Sequence, residues 1–374
     1  MRRIALTGGG TGGHVYPLIA VAEELKRISV DTRELVELYY FGPQSSYTEL
    51  LARAGIRVRH VAGAKLRRYA SLLNVLDLFR FIAGIVQALA KLLAVMPDAV
   101  FSKGGPGALP VVLAAWFYRI PLVIHESDTV PGVTNAVSAG FAKRIAVSFP
   151  ETARFFPGAK TMVTGSPVRS ELLADVPASA EAKKALGFIP VDPVILILGG
   201  SQGSQRLNEF VLVNLEAIVA EAQVIHQVGT RHIQFVEYAA KTKDEMVLRR
   251  YRAVPYLGED LKTALAAADL VVARAGSGTL FEIAAFGKPS LLIPLREAAR
   301  DHQRQNAYAF QKTGGAIVLE EENLVPGIFM REVTVLLRDP ARRTRMGERA
   351  RSLFNPGAAA AVADAIFAVS HRGE

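Results

Sequence analysis

The sequence predicts an α/β protein built of two doubly wound parallel-sheet domains, and three observations carry that expectation. The chain has 374 residues, more than one hydrophobic core ordinarily supports. Short apolar runs ending in polar residues alternate with helical stretches, as a parallel sheet with crossover helices requires. The sequence strand, glycine loop, helix also occurs twice, the second copy offset by 191 positions (Gly8 to Gly199).

In the first half, residues 3–7 read as a buried strand. The loop Gly8-Gly9-Gly10-Thr11-Gly12-Gly13-His14 follows, then an apolar-periodic helix over about 17–27. Further strands are expected at 38–41, 98–102 and 121–125. The pattern restarts at 193–198, with a second loop, Gly199-Gly200-Ser201-Gln202-Gly203-Ser204, and a helix from about 206. Strands at 222–226, 270–273 and 290–293 complete that half. A hinge at 165–169 divides the chain into domains over 1–165 and 166–349, with a C-terminal helix of about 350–374 packing back on the first.

Half of the residues are hydrophobic (50%) and 21% are charged, which fits a folded protein with large cores. Residues 4–22 carry no charge, but their five glycines, proline and histidine make a strand, loop and helix start rather than a membrane span. Arg2 and Arg3 precede no apolar run long enough for a secretory signal, and the absence of Cys rules out disulfides and thiolate metal sites. These features point to a cytoplasmic protein. The net charge of +9 suits nucleic acid, anionic lipid or a phosphorylated substrate. Nucleic acid drops out, because the chain lacks aromatic-basic interleaving and a recognisable binding module.

In an open parallel sheet, ligands bind beyond the carboxyl ends of the strands. A glycine turn there lets backbone approach a pyrophosphate, while the next helix offers free N–H groups. The first loop has that context. No Lys-Ser or Lys-Thr follows its glycines, so it is not a P-loop, and no acidic residue closes the second strand as a dinucleotide site would require. Five glycines in six positions exceed what a tight turn needs, which favours phosphate or substrate contact. His14 admits two readings: a neutral ring at a helix N-terminus acting as general base, or a capping and phosphate-contacting group. In the second half, Arg274-Ala275-Gly276-Ser277-Gly278-Thr279-Leu280-Phe281-Glu282 forms another loop at a helix start. Thr279 and Glu282 share a helix face, so hydroxyl and N–H groups there can hold phosphate while the carboxylate takes a ribose diol. Glu282 as a partner of the helix dipole is the competing reading.

Five motifs now stand in one order: Gly-Gly-Thr-Gly-Gly-His at 9–14; His125-Glu126 with Pro131-Gly132 and Thr134-Asn135; Ser166-Pro167-Val168-Arg169; Gly199-Gly200-Ser201-Gln202-Gly203; and Asp301-His302-Gln303 with Asn306-Ala307. Together they closely resemble the MurG family, the peptidoglycan N-acetylglucosaminyltransferases, over nearly the whole chain. The resemblance implies a GT-B fold, two Rossmann-like domains with a cleft between them. It implies transfer of N-acetylglucosamine from UDP-GlcNAc to the polyprenyl-diphosphate-linked muramoyl pentapeptide lipid I, inverting and without metal or other cofactor. No Asp-x-Asp triplet is present.

On that resemblance, Gly10, Thr11, Gly12, Gly13 and His14 face the acceptor pyrophosphate and, from Thr11 to Gly13, also the transferred sugar. His14 is the candidate base, with Glu126 beside it in the catalytic set. Arg169 and Ser201 reach the donor phosphates, and Leu257 meets the uracil through its backbone. Ser277, Gly278, Thr279, Leu280, Phe281 and Glu282 wrap the diphosphate and ribose, and Gln303 reads the sugar. Two departures stand out. The family more often has His-Glu-Gln-Asn where this chain has His125-Glu126-Ser127-Asp128, so a carbohydrate-binding amide is here the carboxylate Asp128. Phe101-Ser102-Lys103-Gly104-Gly105 replaces a more glycine-rich turn, so Lys103 either faces an acceptor phosphate or is solvated.

The basic charge also has a place. Residues 63–96 hold Lys65, Arg67, Arg68, Arg80 and Lys91 against one acid, Asp77. Leu72, Val75, Leu76, Phe79 and Ile82 form the stripe a core would bury, while Leu73, Leu78, Phe81, Ile85 and Leu92 make much of the remaining surface apolar. That excess predicts a peripheral protein docked on an anionic bilayer, at the cytoplasmic face of the membrane. Two other functions compete: a GT-B transferase that glycosylates diacylglycerol, and an idle UDP-sugar-binding regulator.

Overall fold

The computed structural model describes residues 1–63, 72–200, 202–296 and 301–371, with backbone alone at 72–76. The chain forms two compact units, Met1–Arg169 with Asn355–Glu374, and Ser170–Phe354. Ser201, Lys65, Arg67 and Arg68 lie outside the described residues, as do the side chains of Leu72, Leu73, Val75 and Leu76.

The first unit holds β1 (Arg2–Thr7), β2 (Val36–Gly42), β3 (Arg57–His60), β4 (Ala99–Ser102), β5 (Leu122–Glu126), β6 (Arg144–Val147) and β7 (Thr161–Val163). All pair in parallel, in the order β3-β2-β1-β4-β5-β6-β7. The order reverses beside β1, which places a crevice at the carboxyl ends of β1 and β4. Register makes those ends level, with Leu6 opposite Phe101 and Thr7 opposite Ser102. The loops that follow therefore lie side by side. The four expected strands are present to within about two residues at each end, whereas β3, β6 and β7 were not anticipated. The outermost of these, β3 and β7, are short and largely solvent-facing, so no apolar run marks them.

One sheet face is covered by the helix Gly12–Thr32, whose Val15, Leu18, Ala22 and Leu25 pack with Ile4, Leu6, Leu38 and Phe101. The C-terminal helix Ala358–Val369 joins the same core through Val362, Ala363 and Ile366. It is fastened by Arg2, whose guanidinium lies 3.7 Å from the Phe367 ring centroid and donates to Ser370 Oγ at 3.0 Å. The helix Gly12–Thr32 begins five residues earlier than its apolar period suggested. Gly12 and Gly13 lie in its first turn, with the N–H groups of His14 and Val15 both donating to the Thr11 carbonyl.

The other face carries the helices Leu72–Val95 and Leu109–Phe117. Here one expectation is corrected. Phe79 and Ile82, assigned to the buried stripe, are exposed, together with Leu78, Val86 and Leu93. The packed side runs instead through Gly84, Ala88, Leu92 and Val95. The cause is steric: a Cβ at Gly84 would stand 2.3 Å from the Ala62 carbonyl oxygen and 3.2 Å from Pro110, so the small residues define the contact face. Asp77–Val95 is long and apolar enough to cross a membrane, although 22% of it is buried against its own unit.

The second unit holds β8 (Val194–Leu198), β9 (Gln223–Gln227), β10 (Tyr251–Val254), β11 (Leu270–Ala273), β12 (Ser290–Leu292) and β13 (Ala316–Val318). Its parallel order, β10-β9-β8-β11-β12-β13, repeats the same reversal, now between β8 and β11. Leu198 lies opposite Ala273, so the second glycine loop and the Arg274 loop leave the sheet together. Leu207, Val211, Leu215 and Val224 pack with Val272, Phe329 and Val333 as its core.

Candidate active site

In the first unit, three loops converge at the ends of β1, β4 and β5. His14 sits on the opening turn of the helix Gly12–Thr32, and its Nδ1 is 2.8 Å from Thr11 Oγ1. Two glycines flank the ring. A Cβ on Gly9 would come within 2.9 Å of Nδ1, and one on Gly105 within 3.0 Å of Nε2. Gly105 also has φ 85°, a left-handed conformation costly for other residues. Burial, with Lys103 adding to it and Asp128 opposing, lowers the His14 pKa from 6.5 to about 4. The ring is therefore neutral at physiological pH, the state that accepts a proton.

Glu126 ends β5 with its carboxylate fully engaged. The N–H of Asp128 donates to Oε1, and the N–H of Gly132 and Nδ2 of Asn135 donate to Oε2, each at 3.0 Å. Burial, reinforced by Asp128, raises this carboxyl above its ordinary range. Its bonds make it the organiser of the loop 127–132, and the same Asn135 amide ties that loop to the His125 carbonyl at 3.0 Å. His125 is itself buried, its Nε2 3.1 Å from the Gly165 carbonyl, and burial holds its pKa well down. Lys103 is not solvated. It is 3% exposed, and its Nζ donates to Ser127 Oγ at 2.8 Å. Arg169, which ends the first of this unit's two segments, stacks 3.7 Å from the Tyr16 ring centroid.

In the second unit, Ser277, Gly278 and Thr279 form the half-buried first turn of the helix Ser277–Phe286. Leu280 is the first of its residues whose N–H bonds back, to the Gly276 carbonyl at 3.1 Å, so the three preceding N–H groups point out of the helix end. Glu282 lies half-buried, whereas Leu280 and Phe281 are wholly buried and can meet a ligand only through backbone. Leu257 donates its N–H to Gln227 Oε1 at 3.0 Å and accepts at its carbonyl from the Asp260 N–H at 2.7 Å. Gln303 accepts from the Leu295 N–H at 3.0 Å.

Two organising residues were given no role by the sequence. Gln227, ending β9, spans from Leu257 to the Gly200 carbonyl, to which its Nε2 donates at 3.1 Å. Arg274, 5% exposed, donates to Ser204 Oγ at 2.6 Å and to the Ile293 carbonyl at 3.1 Å, and pairs with Glu321. It thus joins the loops after β8, β12 and β13. A lone Arg or Gln at a strand end carries no pattern, and only the fold reveals what it bridges. Among the described residues, no three His, Asp or Glu side chains cluster as a metal site would need.

Two parallel sheets of this order, each with glycine loops at its switch point, make up the GT-B fold, and the family match below makes the chain a glycosyltransferase. Residues 4–147 match the glycosyltransferase family 28 N-terminal domain, and residues 194–365 match the family 28 C-terminal domain. The chain is similar to the UDP-N-acetylglucosamine–N-acetylmuramyl-(pentapeptide) pyrophosphoryl-undecaprenol N-acetylglucosamine transferase of Clostridium botulinum, 37% identical over 340 residues, 90% of this chain and 91% of that one. The enzyme so named from Clostridium tetani is 36% identical, covering 90% of each chain. The crystal structure of Acinetobacter baumannii MurG matches with TM-score 0.71 at 26% identity, over 98% of this chain and all of that one. The UDP-GlcNAc 2-epimerase of Neisseria meningitidis bound to UDP-GlcNAc shares the fold, with TM-score 0.69 at 14% identity, over 98% of this chain and 100% of that one. The chain belongs to the MurG family of N-acetylglucosaminyltransferases.

Proposed function

We infer that this chain transfers N-acetylglucosamine from UDP-GlcNAc to undecaprenyl-diphospho-N-acetylmuramoyl-pentapeptide, converting lipid I to lipid II. The observation that carries the reading is His14, a neutral imidazole held by Thr11 at a helix N-terminus and walled by two glycines. The acceptor hydroxyl loses its proton to Nε2 as its oxygen bonds to the anomeric carbon. The bond to the UDP oxygen breaks on the opposite side, which inverts the centre without a covalent intermediate. Negative charge gathering on the diphosphate is met by helix N-terminal N–H groups and by Arg169, so no metal is called for. Gly10 to Gly13 cradle the acceptor diphosphate. Ser201, Ser277 to Thr279, Glu282, Leu257 and Gln303 hold the donor, with Asp128 accepting from sugar hydroxyls. Glu126 acts through the loop it organises. In this reading the first unit binds the acceptor and the second binds UDP-GlcNAc.

The lipid tail brings the reaction to a bilayer. Leu78, Phe79, Ile82 and Val86 are half or more exposed on a helix that also bears Arg80 and Lys91. Such a face lies in the interface of an anionic membrane. The helix stays peripheral in this reading because Gly84, Ala88 and Leu92 remain packed in its own unit. UDP release from UDP-GlcNAc with a lipid I analogue tests the whole reading, run with EDTA and with diacylglycerol as controls. Turnover with the lipid I analogue, undiminished by EDTA, is the expected result. Turnover only with diacylglycerol, or none, overturns it.

A further inference from the structure

We propose that Lys103 is a positioning residue of the acceptor site, whose buried ammonium anchors the Ser127–Asp128 corner and offsets its charge beside His14. This rests on the transferase reading and deepens it. Lys103 follows β4 directly, its N–H bonded to the Thr7 carbonyl at 2.9 Å, so its backbone is fixed at the switch point. Gly104 and Gly105 both have positive φ, 81° and 85°, and fold the chain away from the lysine and over the His14 ring. The side chain is left between the strand ends, 3% exposed, with its ammonium 2.8 Å from Ser127 Oγ.

A buried ammonium with one neutral partner would be costly unless negative charge stood nearby. Two carboxylates supply it. Glu126 and Asp128 both act on the Lys103 charge in the favourable sense, and Lys103 and Asp128 act on His14 in opposite senses. The titratable groups facing this corner are thus His14, His125, Glu126 and Asp128. Glu126 is already held by three donors. Glu126 acts on the Lys103 charge more strongly than Asp128 does, and Asp128 is the carboxylate whose substitution leaves those three bonds in place. Lys103 does its work from inside the protein, which differs from an exposed lysine reaching for phosphate.

A charge pair makes a prediction that separate ligands do not. Lys103→Met leaves Asp128 to raise the His14 pKa unopposed, so the acidic limb of kcat/KM moves to higher pH. Asp128→Asn moves it the other way. Each single variant is expected to lose about tenfold at neutral pH. Lys103→Met/Asp128→Asn is expected to lose no more than either, where independent effects would multiply to about a hundredfold. The assay is transfer from UDP-GlcNAc to a lipid I analogue, with circular dichroism confirming that each variant folds. Multiplying losses with an unmoved acidic limb overturn the pairing, and Ser127→Ala, which removes only the ammonium's hydrogen-bond partner, then reports whether the lysine matters through packing. Failure of the parent chain to transfer at all would instead sink the transferase reading.

Discussion

The hydroxyl of Thr11 lies 2.8 Å from Nδ1 of His14, three residues further along the same loop. That contact allows two arrangements: Nδ1–H donates to the threonine oxygen, or the threonine hydroxyl donates to Nδ1. When Nδ1–H donates to the threonine oxygen, Nε2 carries the lone pair. His14→Ala should then lower kcat by about 10²- to 10⁴-fold, the range a positioned general base supplies. Thr11→Val, which removes only the orienting bond, should cost less. Because the ring titrates near pH 4, the base is unprotonated across pH 5 to 8 and kcat/KM should show no limb from it there. Steady-state kinetics across that range check both statements. A limb near 6.5 would mean that the working base is not this half-buried imidazole.

Gly105→Ala is a sharper probe, because it leaves every polar group in place. The added methyl stands 3.0 Å from His14 Nε2 and from the Gly9 Cα, on a backbone with φ 85°. The ring must swing aside while the donor-binding unit is untouched. The expected result is a kcat loss of at least tenfold, an unchanged KM for UDP-GlcNAc, and a stability cost of about 1–2 kcal/mol from the strained conformation. A change confined to the donor KM would contradict the geometry.

Residues such as Gly105 show where sequence reasoning succeeds and where it stops. The glycine loops and the strands 3–7, 193–198 and 270–273 were legible, because a buried parallel strand is a continuous apolar run and a glycine loop behind it has few other uses. His14 and Glu282 were singled out through local spacing and the family resemblance, and each lies on a helix that opens at a glycine loop. The face of Leu72–Val95 was not. Its apolar residues nearly encircle the helix, so hydrophobicity could not say which side packs, and Gly84 decided it through close approach. Lys103 left phosphate contact and solvation both open in sequence. Its burial depends on the level register of β1 and β4, a non-local fact.

Arg274 tests the donor unit in the same spirit. Its guanidinium joins Ser204 in the second glycine loop to Glu321 and the Ile293 carbonyl, and it is almost wholly buried. Arg274→Met would leave Glu321, 6% exposed, with the more distant Arg206 Nη1, at 3.8 Å, as its remaining cationic partner. Losing one partner of such a buried pair costs up to about 3–5 kcal/mol. Thermal or urea unfolding of the second unit should fall by that amount, and KM for UDP-GlcNAc should rise more than kcat falls. Wild-type donor affinity in a folded Arg274→Met protein would show that the glycine loop holds its shape without this bridge.

Membrane docking can be separated from catalysis by changing residues that touch neither unit's core. Phe79 is 65% exposed and Ile82 50%, on a face away from Gly84 and Ala88. Phe79→Ser/Ile82→Ser should therefore leave the fold intact, since no buried contact is lost. Full burial of such a side chain in an apolar phase is worth about 1.5–3 kcal/mol. Interfacial insertion recovers part of that, so the double variant should weaken binding to vesicles containing anionic lipid by at least about tenfold. Co-sedimentation measures the partition, and added salt should weaken the wild type further by screening Arg80 and Lys91. Turnover of a short-chain, water-soluble acceptor should be unchanged, whereas turnover of a long-chain acceptor in vesicles should fall with the partition. Equal vesicle binding by variant and wild type would remove this helix face from the membrane-docking surface.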